Sequence, residues 1–400
     1  MIKFPVAYLN SNDGSGLLAF GDGESISANS GMALHDLDLF IEFHKKKFIF
    51  GYLGYDLKNE LENLSSKNTD NKEFPDMFFW APKYVVKLQG KHFEFVQGDK
   101  TKESFEFLNY FLEEETNQNF HAYKLDFQPT TSKEKYLENV VKLKEHIQQG
   151  DIYEINYCQE FLVENVDINF SLDAYFKLNN ITKAPFSSYV QFDDYTIFCG
   201  SPERFIKREG DKLLSQPIKG TAKRDPAKVQ DELLKEQLKS DPKERAENVM
   251  IVDLVRNDLS KIATKNSVSV DELCGIYSFE TVHQMMSTVS CELKERTSFT
   301  DVLRATFPMG SMTGAPKMSA MQLIEEYEDF KRGIYSGSIG YIDPKGDFDF
   351  NVVIRSLFYN KKKKMMTCDV GGAITIQSDP EKEYEECLTK VQKILDGMNE

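Results

Sequence analysis

At Gly150 the spacing of apolar residues changes from the period of a helix to that of a strand, and this switch limits what the chain can become. Ahead of it, Leu137, Val140, Val141 and Ile147 lie on one side of a helix that Thr131 and Glu134 open with capping-box spacing and Gly150 ends. Beyond it, Tyr153, Ile155 and Tyr157 point one way and Glu154, Asn156 and Cys158 the other, so a strand presents Glu154 on its polar face. Residues 188–192 and 195–200 flank Asp193-Asp194 as a hairpin, and 203–207 and 212–215 flank Gly210-Asp211 likewise. Pro217-Ile218-Lys219-Gly220-Thr221 closes this β region. Residues 226–262 are helical in period, whereas 336–342, 347–359 and 365–376 read as strands separated by Gly, Asp and Lys turns. Asp379-Pro380 then opens a last helix, with Asp as N-cap and Pro in the first turn.

The first 128 residues mix strand-like runs at 48–52, 83–88 and 92–97 with polar turns, and the charged stretch 113–117 shows little apolar period. A boundary at Gln128-Pro129-Thr130-Thr131 divides an N-terminal region, 1–128, from residues 129–400. At 400 residues the chain has room for two to three ordinary domains or one large enzyme fold. An apolar share of 40% and an aromatic share of 12% belong to a packed globular protein rather than a disordered one. The net charge of −15 argues against nonspecific attraction to nucleic acid or anionic lipid, which needs a basic face. No run approaches the roughly 18 apolar residues of a membrane helix. Residues 4–9 are too short for a signal-peptide core, so the expected location is cytoplasmic. The six cysteines are scattered without C-x-x-C spacing and read as reduced core thiols.

Several constellations could carry chemistry. Glu244 and Glu247 lie three apart in a helical stretch, and Glu383 and Glu386 repeat the spacing in the last helix. Pooled, these hard oxygen donors suit Mg²⁺ or Ca²⁺; singly, each pair also reads as a solvated helix face. Lys219, at the end of an apolar strand, is placed to be a desolvated amine of lowered pKa and hence a nucleophile, or else a lysine snorkelling at a strand end. Residues 307–317 form a Gly/Ser/Thr loop entering a helix at Pro316, a shape that offers backbone N–H groups to an anion and equally serves ordinary helix entry. Gly371-Gly372 inside a strand points to close backbone approach or a bulge. His283 is a lone histidine, and Lys361 to Lys364 form a solvated turn.

Taken together and in order, Pro217-Ile218-Lys219-Gly220-Thr221, residues 247–259, 310–317, 333–340 and 378–386 closely resemble the chorismate-utilising enzymes. The resemblance covers about residues 133–398; the N-terminal part matches loosely, chiefly through Gly51-Tyr52-Leu53-Gly54-Tyr55-Asp56. It implies a single α+β fold of large antiparallel β-sheets flanked by helices, in which residues 1–128 belong to the same fold and 129–400 form the chorismate-binding catalytic region. It also implies one Mg²⁺-dependent site. There Glu247 and Glu386 match direct metal ligands, and Glu244 and Glu383 match carboxylates acting through metal-bound water. Arg355, Tyr335, Thr221, Lys390 and the backbone at Gly371 match groups that hold the substrate. Glu203, in Ser201-Pro202-Glu203, matches the general acid that helps the 4-hydroxyl leave, and His283, in Thr281-Val282-His283, resembles a histidine beside the ring.

The subgroup turns on Lys219. The anthranilate-forming members resemble P-I-A-G-T here, whereas the aminodeoxychorismate-forming members resemble P-I-K-G-T, as in this chain. The family mechanism then makes Lys219 a nucleophile at ring carbon 2, after which ammonia enters at carbon 4 and expels the lysine, giving 4-amino-4-deoxychorismate on the way to p-aminobenzoate and folate. Glu154 departs from the family pattern, which is Lys in water-adding members and usually Gln in ammonia-using ones. The Leu-Leu-Glu-Ser segment tied to tryptophan feedback is not evident, Leu17-Leu18-Ala19-Phe20 being nearest. Ammonia is expected from a separate glutamine amidotransferase chain. The alternatives are an anthranilate synthase component I and, of another class, a noncatalytic chorismate-binding subunit.

Overall fold

The computed structural model describes residues 3–29, 31–117, 119–168, 171–280 and 282–400. Among these, the strands form two large antiparallel sheets. In the first, Glu154–Glu164 lies between the short strand Gly314–Ala315 and Met365–Ile374, followed by Ser356–Asn360, Tyr195–Ser201 and Phe186–Phe192. Four N-terminal strands, Val6–Asn10, Ser15–Phe20, Tyr84–Gln89 and His92–Gln97, extend that sheet outward. The second sheet runs from Ile218–Lys223 through Val282–Glu292, Lys212–Gln216, Arg204–Glu209, Phe348–Asn351 and Ser338–Ile342 to the N-terminal strands Ile49–Leu53, Met77–Trp80 and Ser25–Ala28. Both sheets thus contain strands from either side of residue 128.

Alternation along the strands builds two cores. Phe50, Tyr52, Val190, Phe192, Ile197 and Phe358 join side chains of both sheets in one buried cluster. On the other face of the first sheet, Ile155, Tyr157 and Phe161 pack with Val140 and Leu143 of the helix Lys133–Gln149 and with Val391 and Ile394 of the helix Pro380–Asn399. The helix Pro242–Ser260 covers the second sheet through Ile251, Val252 and Val255. All six cysteines are free and buried.

Several expectations shift. The N-cap of Lys133–Gln149 is Ser132, which accepts from the Lys135 N–H, because the Thr131 hydroxyl is engaged by Asp329. Val141 is exposed, and Tyr136, Asn139, Val140 and Leu143 form the buried stripe instead. Residues 113–116 complete the helix Lys102–Thr116, held by the apolar contacts of Leu108 and Phe111 rather than by charge periodicity. The run 347–359 is two strands in different sheets, Phe348–Asn351 and Ser356–Asn360, with Arg355 at φ 54° in the crossing between them. Residues 226–262 are two helices, Lys228–Ser240 and Pro242–Ser260, broken where Pro242 cannot continue the first and Asp241 caps the second.

Candidate active site

The strand Ile218–Lys223 pairs with Val282–Glu292, but its register slips: Ile218 opposes Met286 and Thr221 opposes Gln284. One extra residue therefore sits between those pairs, a bulge that Gly220 permits with φ 93°. A side chain at Gly220 would press within 3.0 Å of Glu244 Oε2. Lys219 occupies this bulge with its side chain 10% exposed, and its Nζ donates to Glu154 Oε1 at 2.7 Å. Glu154, 1% exposed, begins the strand Glu154–Glu164, and its Oε2 is buried without a hydrogen-bond partner.

Burial is the largest influence on Lys219 and favours the neutral amine, yet Glu154, Glu247 and Glu203 outweigh it together, so the pKa is raised. This corrects the expectation of a lowered pKa: desolvation is present, but the carboxylates around the amine win. Glu203, buried in the turn between Tyr195–Ser201 and Arg204–Glu209, accepts from the Ser311 hydroxyl at 2.7 Å. Burial pushes its carboxyl up to about 7, against the opposing pull of Ser311, Lys219 and Arg355. A buried acid poised near neutrality can deliver a proton to a leaving hydroxyl.

The two glutamate pairs lie on Pro242–Ser260 and Pro380–Asn399, facing one another across Lys243, whose Nζ is 3.8 Å from Glu247 Oε1 and 3.5 Å from Glu383 Oε1. Glu386 pairs with Lys390 at 2.7 Å, and Lys390 also donates to the Gly371 carbonyl at 3.1 Å. Gly372 brings its backbone against Glu383, to which a Cβ would lie 3.6 Å from Oε2. Among the described residues no three His, Cys, Asp or Glu side chains are grouped so as to hold a metal ion, so the four carboxylates face one region without converging on a point. Their mutual repulsion is relieved by lysines instead. The donor set nevertheless fits a hard cation: Glu247 Oε1 is buried with no hydrogen-bond partner, and burial pushes Glu247 up to about 7.

The remaining sequence-derived residues are placed unevenly. Arg355 is near enough to Glu203 to be held up by its charge, though burial, the larger influence, lowers its pKa. Gly371 opposes Cys158 in an unbroken ladder, so the glycine pair serves close approach and not a bulge; a Cβ at Gly371 would fall 2.4 Å from Cys158 Sγ. Tyr335 is buried with its hydroxyl 4.0 Å from that same sulfur. Thr221 is exposed. His283 has both ring nitrogens engaged, by Asp231 Oδ1 at 3.0 Å and Ser278 Oγ at 2.8 Å, which makes it a held side chain and not an open base; Thr281 lies outside the described residues. The loop before Lys317–Tyr327 pairs Gly314 and Ala315 with Ile155 and Glu154.

Sequence reasoning missed Ser311 as the partner of Glu203, although the loop carrying it was singled out. It also missed Lys243, whose i, i+4 spacing to Glu247 was legible but whose reach to Glu383 was not. The buried pair Glu328–Arg332, at 2.6 Å, steadies the site from behind: Arg332 donates to the Asn156 and Met312 carbonyls, and Glu328 accepts from the Cys158 N–H.

Comparison with known proteins places the chain in a family. Residues 8–396 match the family model described as chorismate binding enzyme. The chain is 36% identical to aminodeoxychorismate synthase component 1 of Klebsiella aerogenes, over 86% of this chain and 76% of the relative. It is 33% identical to anthranilate synthase component 1 of Lactococcus lactis subsp. lactis (strain IL1403), over 86% of this chain and 78% of that relative. The crystal structure of anthranilate synthase component I from Streptococcus pneumoniae TIGR4 superposes with a TM-score of 0.82 at 27% identity, covering 95% of this chain and 92% of that one. The match over nearly the whole chain, on a fold that gathers Lys219, Glu203 and two glutamate-bearing helices, shows that this chain belongs to the chorismate binding enzyme family.

Proposed function

We propose that the chain is the chorismate-aminating component of an aminodeoxychorismate synthase, converting chorismate and ammonia to 4-amino-4-deoxychorismate, with ammonia supplied by a separate glutamine amidotransferase chain. The observation that carries the reading is Lys219 itself, an amine lifted out of the ladder by a bulge and buried among carboxylates, at the position where anthranilate-forming relatives resemble alanine. In this reading Lys219 attacks ring carbon 2 while Glu203, protonated below about pH 7, donates to the departing 4-hydroxyl. Ammonia then adds at carbon 4, and the carbon–nitrogen bond to Lys219 breaks.

Glu247 and Glu386 are the residues to hold Mg²⁺ directly, with Glu244 and Glu383 as outer carboxylates. Bound there, the ion would neutralise and orient a substrate carboxylate. Arg355, Thr221, Tyr335, Lys390 and the Gly371 backbone are assigned to substrate binding; a hydrogen bond already joins Lys390, in the middle of the last helix, to Gly371 of the strand Met365–Ile374. His283 is assigned a place beside the ring, fixed by Asp231 and Ser278.

The test is the product formed from chorismate, ammonium and Mg²⁺. The expected product is 4-amino-4-deoxychorismate, with a mass increase on the Lys219 peptide after acid quench without ammonia. Lys219→Ala should abolish the adduct and reduce amination about a hundredfold or more. Fluorescent anthranilate formed without any added lyase would sink the assignment in favour of an anthranilate synthase component.

A further inference from the structure

Resting on the reading of Lys219 as nucleophile, the geometry raises a question about its proton. An ammonium has no lone pair to offer a ring carbon, and Lys219 is stored in a buried ion pair. The charged groups facing it are Glu154 from the start of Glu154–Glu164, Glu203 from the turn before Arg204–Glu209, Glu247 and Glu244 from Pro242–Ser260, and Glu386 from the last helix. Of these, Glu154 alone has a hydrogen bond to Nζ, at 2.7 Å. Its other oxygen is buried without a partner, so the carboxylate has acceptor capacity left over and little solvent to share it with.

We infer that Glu154 is the base that takes the proton from Lys219 to release the attacking amine, and that it returns the proton when the lysine is expelled. The two oxygens then divide the work: Oε1 receives the proton along the existing hydrogen bond, and no water or bulk base has to enter a site in which both partners are shielded. The other carboxylates are poorly suited. Glu203 must keep its own proton for the leaving hydroxyl, and Glu247 and Glu386 are paired with Lys243 and Lys390 and, like Glu244, act on Lys219 by charge without a hydrogen bond to it.

The proton ledger closes. Lys219 ammonium gives its proton to Glu154, and the neutral amine forms a bond to ring carbon 2. Both ring double bonds move along by one bond, the bond from carbon 4 to its hydroxyl breaks, and the Glu203 proton leaves with that oxygen as water. The attached nitrogen keeps two protons and is cationic. Ammonia next bonds to carbon 4, both ring double bonds shift back, and the electron pair of the carbon 2 bond returns to Lys219 as a neutral amine. Glu154 returns its proton to that amine, and the new carbon 4 ammonium gives one proton to Glu203. Both carboxyls and the lysine regain their starting states, with one chorismate and one ammonia consumed and one water formed.

The test isolates the first half-reaction. Full-length enzyme is mixed with chorismate and Mg²⁺ without ammonia, quenched in acid at intervals, and the Lys219 adduct quantified by peptide mass across neutral and alkaline pH. In the unaltered enzyme the adduct rate should fall with rising pH only as Glu203 loses its proton near pH 7, because the transfer from Lys219 is internal and adds no rise of its own. Glu154→Gln preserves shape but cannot take the proton; its adduct should form about a hundredfold more slowly at pH 7, and the deficit relative to the unaltered enzyme should shrink with rising pH as bulk base substitutes. Chorismate should still raise its melting temperature, separating a lost base from a lost binding site. Glu154→Asp, which retains a carboxylate, should keep the pH profile of the unaltered enzyme at reduced rate, and it decides the matter if the glutamine variant does not fold. Adduct formation in Glu154→Gln as fast as or faster than in the unaltered enzyme at pH 7 overturns the inference, since Glu154 would then merely restrain the lysine; so does a Glu154→Asp rate that gains on the unaltered enzyme as pH rises. Absence of any adduct in the unaltered enzyme instead defeats the underlying reading of Lys219.

Discussion

The proton on Glu203 is set by a contest that one hydroxyl can tip. Burial raises this carboxyl to about 7, while the Ser311 hydroxyl, 2.7 Å away, stabilises its ionised form. An acid must carry its proton to act, so Glu203 is competent below its raised pKa and activity should decline as pH climbs through about 7. Ser311→Ala removes a donor to the carboxylate and so raises that pKa further. A hydrogen bond to a charged group is worth about 1.5–3 kcal/mol, which corresponds to an upward move of roughly one to two pH units in the alkaline limb. A pH–rate profile of amination checks this, and a limb that stays put or moves down would remove Glu203 from the acid's role.

Secondary-structure elements decide what the glutamates can do. Glutamates three apart on Pro242–Ser260 and again on Pro380–Asn399 present two carboxylate faces, and the packing of these helices beside Ile218–Lys223 and Met365–Ile374 aims both at one region. Lys243 stands between them, within 4 Å of Glu247 and Glu383. A divalent cation held by those carboxylates must coexist with that ammonium or displace it. Lys243→Met should therefore tighten Mg²⁺ binding about threefold to tenfold, measured by titration calorimetry, with the fold unchanged. Weaker binding would show that Lys243 supports the ion site and does not compete with it.

At the scale of the molecule, a buried charge cluster joins the N-terminal residues to the first sheet. Lys72 Nζ lies 2.6 Å from Glu160 and 2.8 Å from Asp369, with all three side chains fully buried. Burial pushes Asp369 up to about 8 even with Lys72 alongside. Removing the lysine strands two carboxylates in the interior, so Lys72→Met should cost about 3–5 kcal/mol in urea unfolding, and adding Glu160→Gln and Asp369→Asn should recover part of it. Near-neutral behaviour of the single variant would mean that water reaches the cluster and solvates the orphaned acids. Residue 128 is likewise no seam in the structure: strands from both sides of it are joined in both sheets, and Gln128–Pro129 itself pairs with Glu154–Glu164.

Local chemistry was legible wherever it is written in adjacent residues. The hairpins at Asp193-Asp194 and Gly210-Asp211 appear in the expected register, because a tight turn fixes which residues can pair. The Asp379 cap and the break at Gly150 follow from backbone geometry that only certain residues satisfy. Glu154, Glu203, Lys219 and the four helix glutamates could be named from motifs, since their order along the chain is itself the signal. What the sequence could not supply is any quantity that depends on distance between remote segments. The sign of the Lys219 shift is decided by three carboxylates from three elements, while the sequence shows only its apolar strand neighbours. Ser311 meets Glu203 across 108 positions, and Asp231 meets His283 across 52, contacts that no periodicity encodes. Electrostatic energy falls with separation in space and is indifferent to separation along the chain, so the identity of the charged groups belonged to the sequence and their balance to the tertiary structure.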